Sequence, residues 1–596
     1  MLAHTAPTFH RWSQLALPRA FAAKPLDPTT LVRHWSRARR IIAARFALAC
    51  ARESMIAADQ TGGAMVLRAG DTRVTIPLAR VGEFGLHSPD LETALEPVAA
   101  DPEALLGLLA PAIGLTRADA SRLRIELCDS AFNLALATLS AALRHDAAAS
   151  GRPWPAPTDP ENLVVEGHPW HPMCKTRLRL SLAEVLRHAP EHLALGCIDA
   201  VDVHRDLVQL TGSAKDHLKR LFPPGPPDMI RIPVHRAQRR RLAALFPDLW
   251  GTRMRPARVS ALDGRALLSL RTVALDHHGL HIKLALDAVM TSARRTVSPM
   301  SVANGPPLTK LLQDIARRDA DARGLLLLGD QAGAGLRAEV IGKRSPQLGV
   351  ILRTSPEKLV LDMTGRTDET WVCAALGERR PAGERTLLCE LAERHESAEA
   401  LVRRYIELLL PPSLHLLSAY GIALELHLQN TLAIVGNSGL RGFVIRDLGG
   451  IRLHPGRLRD AGLSLSLAPD SFLFADDIDE VRDKLSHTLL HAHLGTLLRW
   501  AERDLGLPAR CTWPLVRATI QATSERIAQA PSRRLAALAD RDALLRPQCR
   551  AKALLRMRCE QRISDYAYTT VDNVLASADV IVAARQITIH PGAFLS

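Results

Sequence analysis

From Ile422 to Gln429 the residues alternate strictly, with Ile422, Leu424, Leu426 and Leu428 on one side and Ala423, Glu425, His427 and Gln429 on the other. A period of two is that of a β-strand, so the stretch predicts a strand with one apolar face to bury and one face of functional groups. Asn430 follows, and the turn-forming Asn437-Ser438-Gly439 separates it from a second run ending in Arg446-Asp447. Folding the chain about that turn brings Asp447 beside Gln429 and Asn430, an oxygen-rich group suited to Mg2+ held through phosphates. An exposed sheet face with unrelated polar residues is the alternative that the pattern leaves open.

A second hairpin is predicted over Ala266 to Asp287, where the runs ALLSLRTVAL and LHIKLALD flank Asp276-His277-His278-Gly279. Ser269 and Arg271 then share one strand face, and His281 and Lys283 share a face of the return strand. Arg271 and Lys283 lie diagonally across the pair, an unfavourable proximity of like charges unless an anion sits between them. Thr291-Ser292-Ala293-Arg294-Arg295-Thr296 comes next, offering hydroxyls and guanidiniums as a phosphate cradle. Upstream, Gly167-His168-Pro169-Trp170-His171-Pro172 precedes Lys175 and Arg177, a proline-fixed turn suited to gripping an anion. Solvated strand charges, a polar turn and a proline-rich loop remain open as plainer readings of these three segments.

At 596 residues the chain is too long for one core and predicts about three domains. Residues 28 to about 150 look helical, with Ala-rich runs at 41–50 and 131–143 and a strand-like pair around 64–77. Four prolines within GRPWPAPTDP, residues 151–160, mark a boundary. A mixed region runs to about 395, followed by a helix from Ser397 to Leu410, two strands and a helical tail. Lys plus Arg total 76 against 62 Asp plus Glu, a net charge of +14 that favours anionic partners. Aromatic residues at 4% are too few for base-stacking platforms, which argues against nucleic acid. The nine cysteines form no CxxC pair, and Pro411-Pro412 interrupts the most apolar stretch, so neither a zinc site nor a membrane span is expected. The first 24 residues carry Arg11, Arg19 and Lys24 without an acid; they superficially match an organelle transit peptide and read as a loose arm. No Walker loop, kinase glycine loop or GxSxG elbow occurs, so any phosphate site is built from cations.

GHPWHPMCKTR, SLRT, HIKL, TSARRT, HLQN and RD occur here in the order and approximate spacing of the NRPS-independent siderophore synthetases, and the chain resembles that aerobactin-synthetase-like family over about residues 155–575. The resemblance implies an α+β, multi-domain, hand-like architecture with antiparallel sheets and many helices. Its parts are a helical thumb (1–155), a fingers domain with the phosphate motifs (156–395) and a palm (396–596). It implies an ATP-dependent, AMP-forming ligase of siderophore biosynthesis and iron acquisition, which adenylates citrate or a citrate derivative and joins it to an amine or amino-alcohol. His168, Ser269, Arg271, Lys283, Thr291, Ser292 and Arg295 would hold the ATP phosphates, and His427 and Gln429 the nucleotide phosphate and acid region. Asn430 and Asp447 would hold Mg2+, with Arg295 and His427 the catalytic pair. A cytoplasmic homodimer that uses neither nucleic acid nor membrane is expected. Two features depart from the family's pattern: Arg179 stands where Gly is usual, and Asn573-Val574-Leu575 replaces Asn-Pro-Leu. The C-terminal region is also similar to a ferric-reductase-like segment, but it lacks clustered cysteines for an iron-sulfur cluster, which argues against a reductase. A kinase-like phosphotransferase and a non-catalytic polyanion-binding module are the rival functions.

Overall fold

The computed structural model describes residues 8–9, 27–93, 95–151, 159–192, 195–291, 293–469, 471–562 and 566–577. The predicted N-terminal arm therefore lies almost wholly outside the described residues, as does Ser292. Helix α1 (Pro28–Arg52) begins where the Asp27 side chain accepts from Thr30 N at 3.0 Å, and proline opens its first turn. It packs on helix α2 (Arg117–Ala149), and the two Ala-rich runs lie within these helices, where small side chains allow close approach. A four-stranded antiparallel sheet over residues 57–89 closes this unit and includes the strand pair expected around 64–77. Its core also takes in Met173, Cys174, Leu555 and Cys559. Glu53, at the end of α1, is buried and accepts from Leu555 N at 2.9 Å and Arg556 N at 2.7 Å, which ties distant segments of the chain together.

The centre is a nine-stranded antiparallel sheet. Its strands are β1 (Leu195–His204), β2 (Val208–Gly212), β3 (Met229–His235), β4 (Leu262–Ala266), β5 (Thr272–Leu275) and β6 (Leu280–Leu284). Helix α3 (Pro299–Arg318) and strand β7 (Leu326–Leu328) then lead to β8 (Ala332–Leu336) and β9 (Gly349–Thr354). The order across the sheet is β2-β8-β9-β6-β5-β4-β1-β3, with Met254–Pro256 added beside β1. The β5–β6 hairpin forms about residues 276–279 as the alternation predicts, with Leu275 opposite Leu280 and Thr272 opposite Lys283. The run from Ala266 to Leu275 is not one strand, however. Leu270 N donates to Leu267 O at 2.7 Å and Leu270 takes a φ of +63°, so Ser269 and Arg271 sit on a tight turn between β4 and β5 rather than on a strand face.

A smaller sheet carries strand β10 (Glu369–Val372) and, after helix α4 (Ala398–Tyr420), strands β11 (Thr431–Gly436) and β12 (Gly439–Arg446). Its order is β7-β12-β11-β10, with β7 parallel to β12 and the other pairs antiparallel. Two of its strands come from before residue 395, and α3 contributes Leu308, Leu311, Leu312 and Ile315 to the apolar core around α4. Helix α4 does not stop at Leu410 but continues through Pro411 and Pro412 to Gly421, whose φ of +66° caps it. The lost backbone donors are tolerated because Leu409, Leu410, Leu414, Leu416 and Leu417 are all buried by their surroundings. The predicted strand over 422–429 is also corrected. Only Ile422–Ala423 pairs, with Arg452–Leu453, yet burial still alternates through the irregular segment that follows. No helix among the described residues is long and apolar enough to cross a membrane, and all nine cysteines are unpaired.

Candidate active site

Strand β12 delivers Arg446 and Asp447 to the junction of the two sheets. Asp447 has φ +63° and ψ +64°, the left-handed region that non-glycine residues rarely occupy. The neighbouring contacts hold it there. Arg446 N donates to Asn430 O at 2.9 Å, its guanidinium donates to Gln429 O at 2.8 and 3.1 Å, and it pairs with the buried Glu161. Asp447 Oδ1 accepts from Lys283 Nζ at 2.6 Å and from Arg353 Nη2 at 3.0 Å. Those cations stand on the neighbouring strands β6 and β9, and Arg353 Nε also donates to Asp330 Oδ1 at 2.5 Å.

Burial opposes ionisation of Asp447, but Lys283 and Arg353 outweigh it and hold the carboxyl well below its usual range. Burial pushes the Lys283 ammonium down to about 8 despite Asp447. Arg271 is pushed down to about 10, chiefly by burial and then by repulsion from Arg295; its Nη1 donates to Thr296 O at 2.5 Å. Arg295 is lowered by burial and by Arg177; its Nη2 donates to Met290 O at 3.1 Å, while its buried Nε has no partner. Arg294 points elsewhere and pairs with Asp287 at 2.6 Å, so the adjacent arginines have different surroundings. Thr291 occupies the turn between Val289–Met290 and Ala293–Arg294 with a φ of +57°. Ser269 Oγ donates to Thr272 Oγ1 at 2.8 Å.

His168 and His427 are close enough to repel one another as cations. His168 is pushed down to about 3, mainly by burial and then by His427, and His427 is lowered by burial against the attraction of Glu425. Lys175 and Arg177 do not present an open anion grip. Lys175 Nζ donates to the buried Glu191 Oε1 at 3.0 Å and Arg177 Nη2 to the same oxygen at 3.2 Å, so both are engaged by one internal carboxylate.

Asp330, Arg353, Lys484 and Lys552 stand out only in three dimensions. Lys484 donates to Glu425 at 2.5 Å, which overcomes burial and brings the Glu425 carboxyl down to about 2. Lys552 is held well below its ordinary value by burial and by Lys484, with its ammonium 3.6 Å from the Tyr566 ring centroid. No local motif marks these residues, which are separated from their partners by up to 127 positions, as Glu425 is from Lys552.

A nine-residue π-helix, Ser486–Leu494, frames the loop that carries His427. His493 Nδ1 lies 2.7 Å from Leu426 O and its Nε2 lies 2.6 Å from the Tyr405 hydroxyl, so the carbonyl assigns the proton to Nδ1. Thr488 Oγ1 donates to Leu424 O at 3.4 Å, and His487 Nδ1 accepts from Lys552 N at 3.3 Å. Consecutive turns of one helix thus hold the His427 loop and the Lys552 strand.

The IucA / IucC family matches residues 157–378, and the Ferric iron reductase FhuF-like transporter family matches residues 399–567. Staphyloferrin A synthase of Staphylococcus aureus is 29% identical over 440 residues, covering 69% of this chain and 72% of that protein. The D-ornithine–citrate ligase of the same organism is 26% identical over 471 residues, covering 70% and 69%. Over residues 157–378 the chain is similar to the IucA / IucC family. Two solved structures share its fold. Petrobactin biosynthesis protein AsbB from Bacillus anthracis has a TM-score of 0.75 at 17% identity, covering 93% of this chain and 98% of that one. ATP-bound aerobactin synthetase IucA from Klebsiella pneumoniae has a TM-score of 0.72 at 18% identity, covering 90% and 99%. Both departures from the family's pattern have a structural setting. Arg179, where glycine is usual, has a φ of +71° and pairs with Asp287 at 2.6 Å. Asn573 binds Leu544 O and Arg546 O at 2.8 Å each and accepts from Leu575 N at 3.1 Å, contacts that Val574 leaves intact.

Replacing His493 by alanine orphans the buried Leu426 carbonyl. His493→Ala should lower stability by about 1–3 kcal/mol and reduce kcat more than it raises KM. His493→Asn, which keeps a donor near Nδ1, should recover most of both losses; thermal unfolding and steady-state kinetics would check this.

Proposed function

We propose that this chain is an ATP-dependent siderophore synthetase that adenylates a carboxylate of citrate or a citrate derivative and joins it to an amine or amino-alcohol, releasing pyrophosphate and AMP. The observation that carries the reading is the charge imbalance in the cleft. Arg271, Lys283 and Arg295 are desolvated around Asp447, and each is lowered by burial because the surrounding carboxylates do not fully compensate it. A phosphate chain supplies the missing negative charge. The name of one relative, a D-ornithine–citrate ligase, supports citrate, and the ATP-bound fold neighbour supports ATP.

In this reading residues 1–155, 156–395 and 396–596 act as thumb, fingers and palm. Arg271 and Lys283 bind the phosphate chain with His168, Ser269, Thr291 and Ser292, and Arg295 faces the α-phosphate, where charge builds as the carboxylate attacks. His427 and Gln429 lie between nucleotide and acid, and Lys484 and Lys552 favour an anionic acid beside them. The fit for Mg2+ rests on the donor set. Asp447 Oδ2 accepts no hydrogen bond among the described residues, and Asn430 uses Nδ2 toward Glu425 O at 3.3 Å, which leaves its amide oxygen available. Two protein oxygens suit Mg2+ when phosphates and water complete its shell, and the ion would neutralise phosphate charge. Catalysis by the chain is then positioning and electrostatic stabilisation.

The reaction is tested by its products. Incubation with ATP, Mg2+, citrate and a panel of amines and amino-alcohols should release AMP and pyrophosphate in stoichiometric amounts, and Asp447→Ala should abolish release. ADP together with a phosphorylated acceptor would establish the kinase-like reading instead, and absence of all turnover would favour a binding module.

The two arginines should separate cleanly. Arg295→Ala should lose on the order of 10²- to 10³-fold in kcat with a smaller change in ATP affinity, and Arg295→Lys should not restore it. Arg294→Ala should stay within a few fold of the parent, measured by pyrophosphate release. Equal losses at both positions would contradict the assignment.

The Lys283 shift gives a pH dependence. A lysine depressed to about 8 is charged below that pH and neutral above it, so anion binding at higher pH must draw in a proton. ATP affinity from calorimetric titration should fall by up to about tenfold per pH unit above 8, and Lys283→Arg should flatten that slope.

A further inference from the structure

The β11–β12 hairpin borders charged residues at both of its ends. Its open end carries Asn430 and Asp447, and its closed end, roughly 25 Å away along the strands, borders a separate cavity of about 580 Å³. Five arginines and three carboxylates line that cavity, leaving two positive charges uncompensated. We propose that this cavity is a binding site for a multiply charged oxyanion, distinct from the cleft around Asp447 and independent of the reaction assigned to it.

Arg394, Arg403 and Arg404 are placed so that their charge stays available. The Arg394 guanidinium lies 5.2 Å from the Trp371 ring centroid and donates to Gly436 O at 3.3 Å, so it is anchored by an aromatic face and a carbonyl rather than by an acid. Arg403 and Arg404, consecutive on α4, are half-buried and form no hydrogen bond or ion pair with the described residues. Glu407, one turn farther along α4, offsets only part of the burial that lowers Arg404. Arg441 lies opposite, with Asp368 3.4 Å from its Nε. His395 Nε2 accepts from Leu440 N at 3.0 Å, so the neutral ring carries its proton on Nδ1, where it can serve as a further donor.

The hairpin turn is shaped to seat these groups. A side chain at Gly436 would come within 2.0 Å of Arg441 Nε, and one at Gly439, with a φ of +91°, within 2.4 Å of His395 Nε2. The two glycines allow the Arg441 guanidinium and the His395 ring to lie directly on the backbone. Converging guanidinium forks bind phosphate and carboxylate oxygens in pairs, and the cavity volume is that of a small-molecule site. A phosphate chain and a polycarboxylate share this chemistry, and inorganic pyrophosphate and citrate serve as probes for the two.

The test is calorimetric titration of the full chain, free of Mg2+ and at low ionic strength, with pyrophosphate and with citrate in separate runs. The parent should bind at least one of them at two sites. Arg403→Ala/Arg404→Ala should lose one site, weakened at least tenfold, and Arg295→Ala should lose the other. Ser438→Glu places an acid at the exposed rim without removing any contact and should weaken the same site as the double variant. A response to pyrophosphate alone assigns the site to phosphate chains, and a response to citrate alone assigns it to polycarboxylates. If both the double variant and Ser438→Glu bind both probes with the stoichiometry and Kd of the parent, the proposal is overturned.

Discussion

The carboxylate of Asp447, gripped by Lys283 and Arg353, is the interaction on which the architecture turns. It joins two neighbouring strands of the nine-stranded sheet to the end of β12 in the smaller sheet. A buried cation is tolerable only with a partner, so the pairs that hold the two sheets in register also oblige Asp447 to keep its left-handed backbone. Arg446 completes the clamp by tying the Gln429 carbonyl to β12, and the loop carrying His427 and Asn430 is positioned as a result.

Around that clamp the protein leaves positive charge uncompensated, in contrast with the treatment of similar residues nearby. Lys175 and Arg177 follow a histidine-proline motif that suggests an anion site, yet Glu191 turns them into a closed internal cluster. Arg294 is satisfied by Asp287, while the next residue, Arg295, is buried with its Nε unpaired. Arg271 and Arg295 differ from Lys175, Arg177 and Arg294 in that the only side-chain hydrogen bonds their guanidiniums make among the described residues go to backbone carbonyls, which leaves their charge available to a ligand.

The surrounding elements give the cleft its stiffness. The π-helix bonds to carbonyls on either side of Glu425 and to the backbone of Lys552, and Lys484 just before it completes a charge pair with Glu425. Its histidines are kept neutral by burial, His491 at about 3 and His493 at about 4, so they act as fixed hydrogen-bonding groups rather than as charges.

Local pattern determined a good deal by itself. The period-two alternation marked the β5–β6 hairpin, since a strand must send alternate side chains to opposite faces, and it separated Leu424, Leu426 and Leu428 from Glu425, His427 and Gln429 even though the strand expected there does not form. The Asn-Ser-Gly turn placed Asp447 just beyond Arg446, which pairs with Asn430, because hairpin register follows from turn position. Continuity was not legible in the same way. The break at Leu270, the passage of α4 through two prolines and the pairing of only two residues after Tyr420 depend on burial and long-range hydrogen bonds that override local preference. Which cations are neutralised and which remain open was decided entirely by tertiary structure. Asp330, Arg353, Lys484 and Lys552 reach the site from remote segments, and Coulomb energy depends on distance and burial in space, neither of which is written in the spacing of residues along the chain.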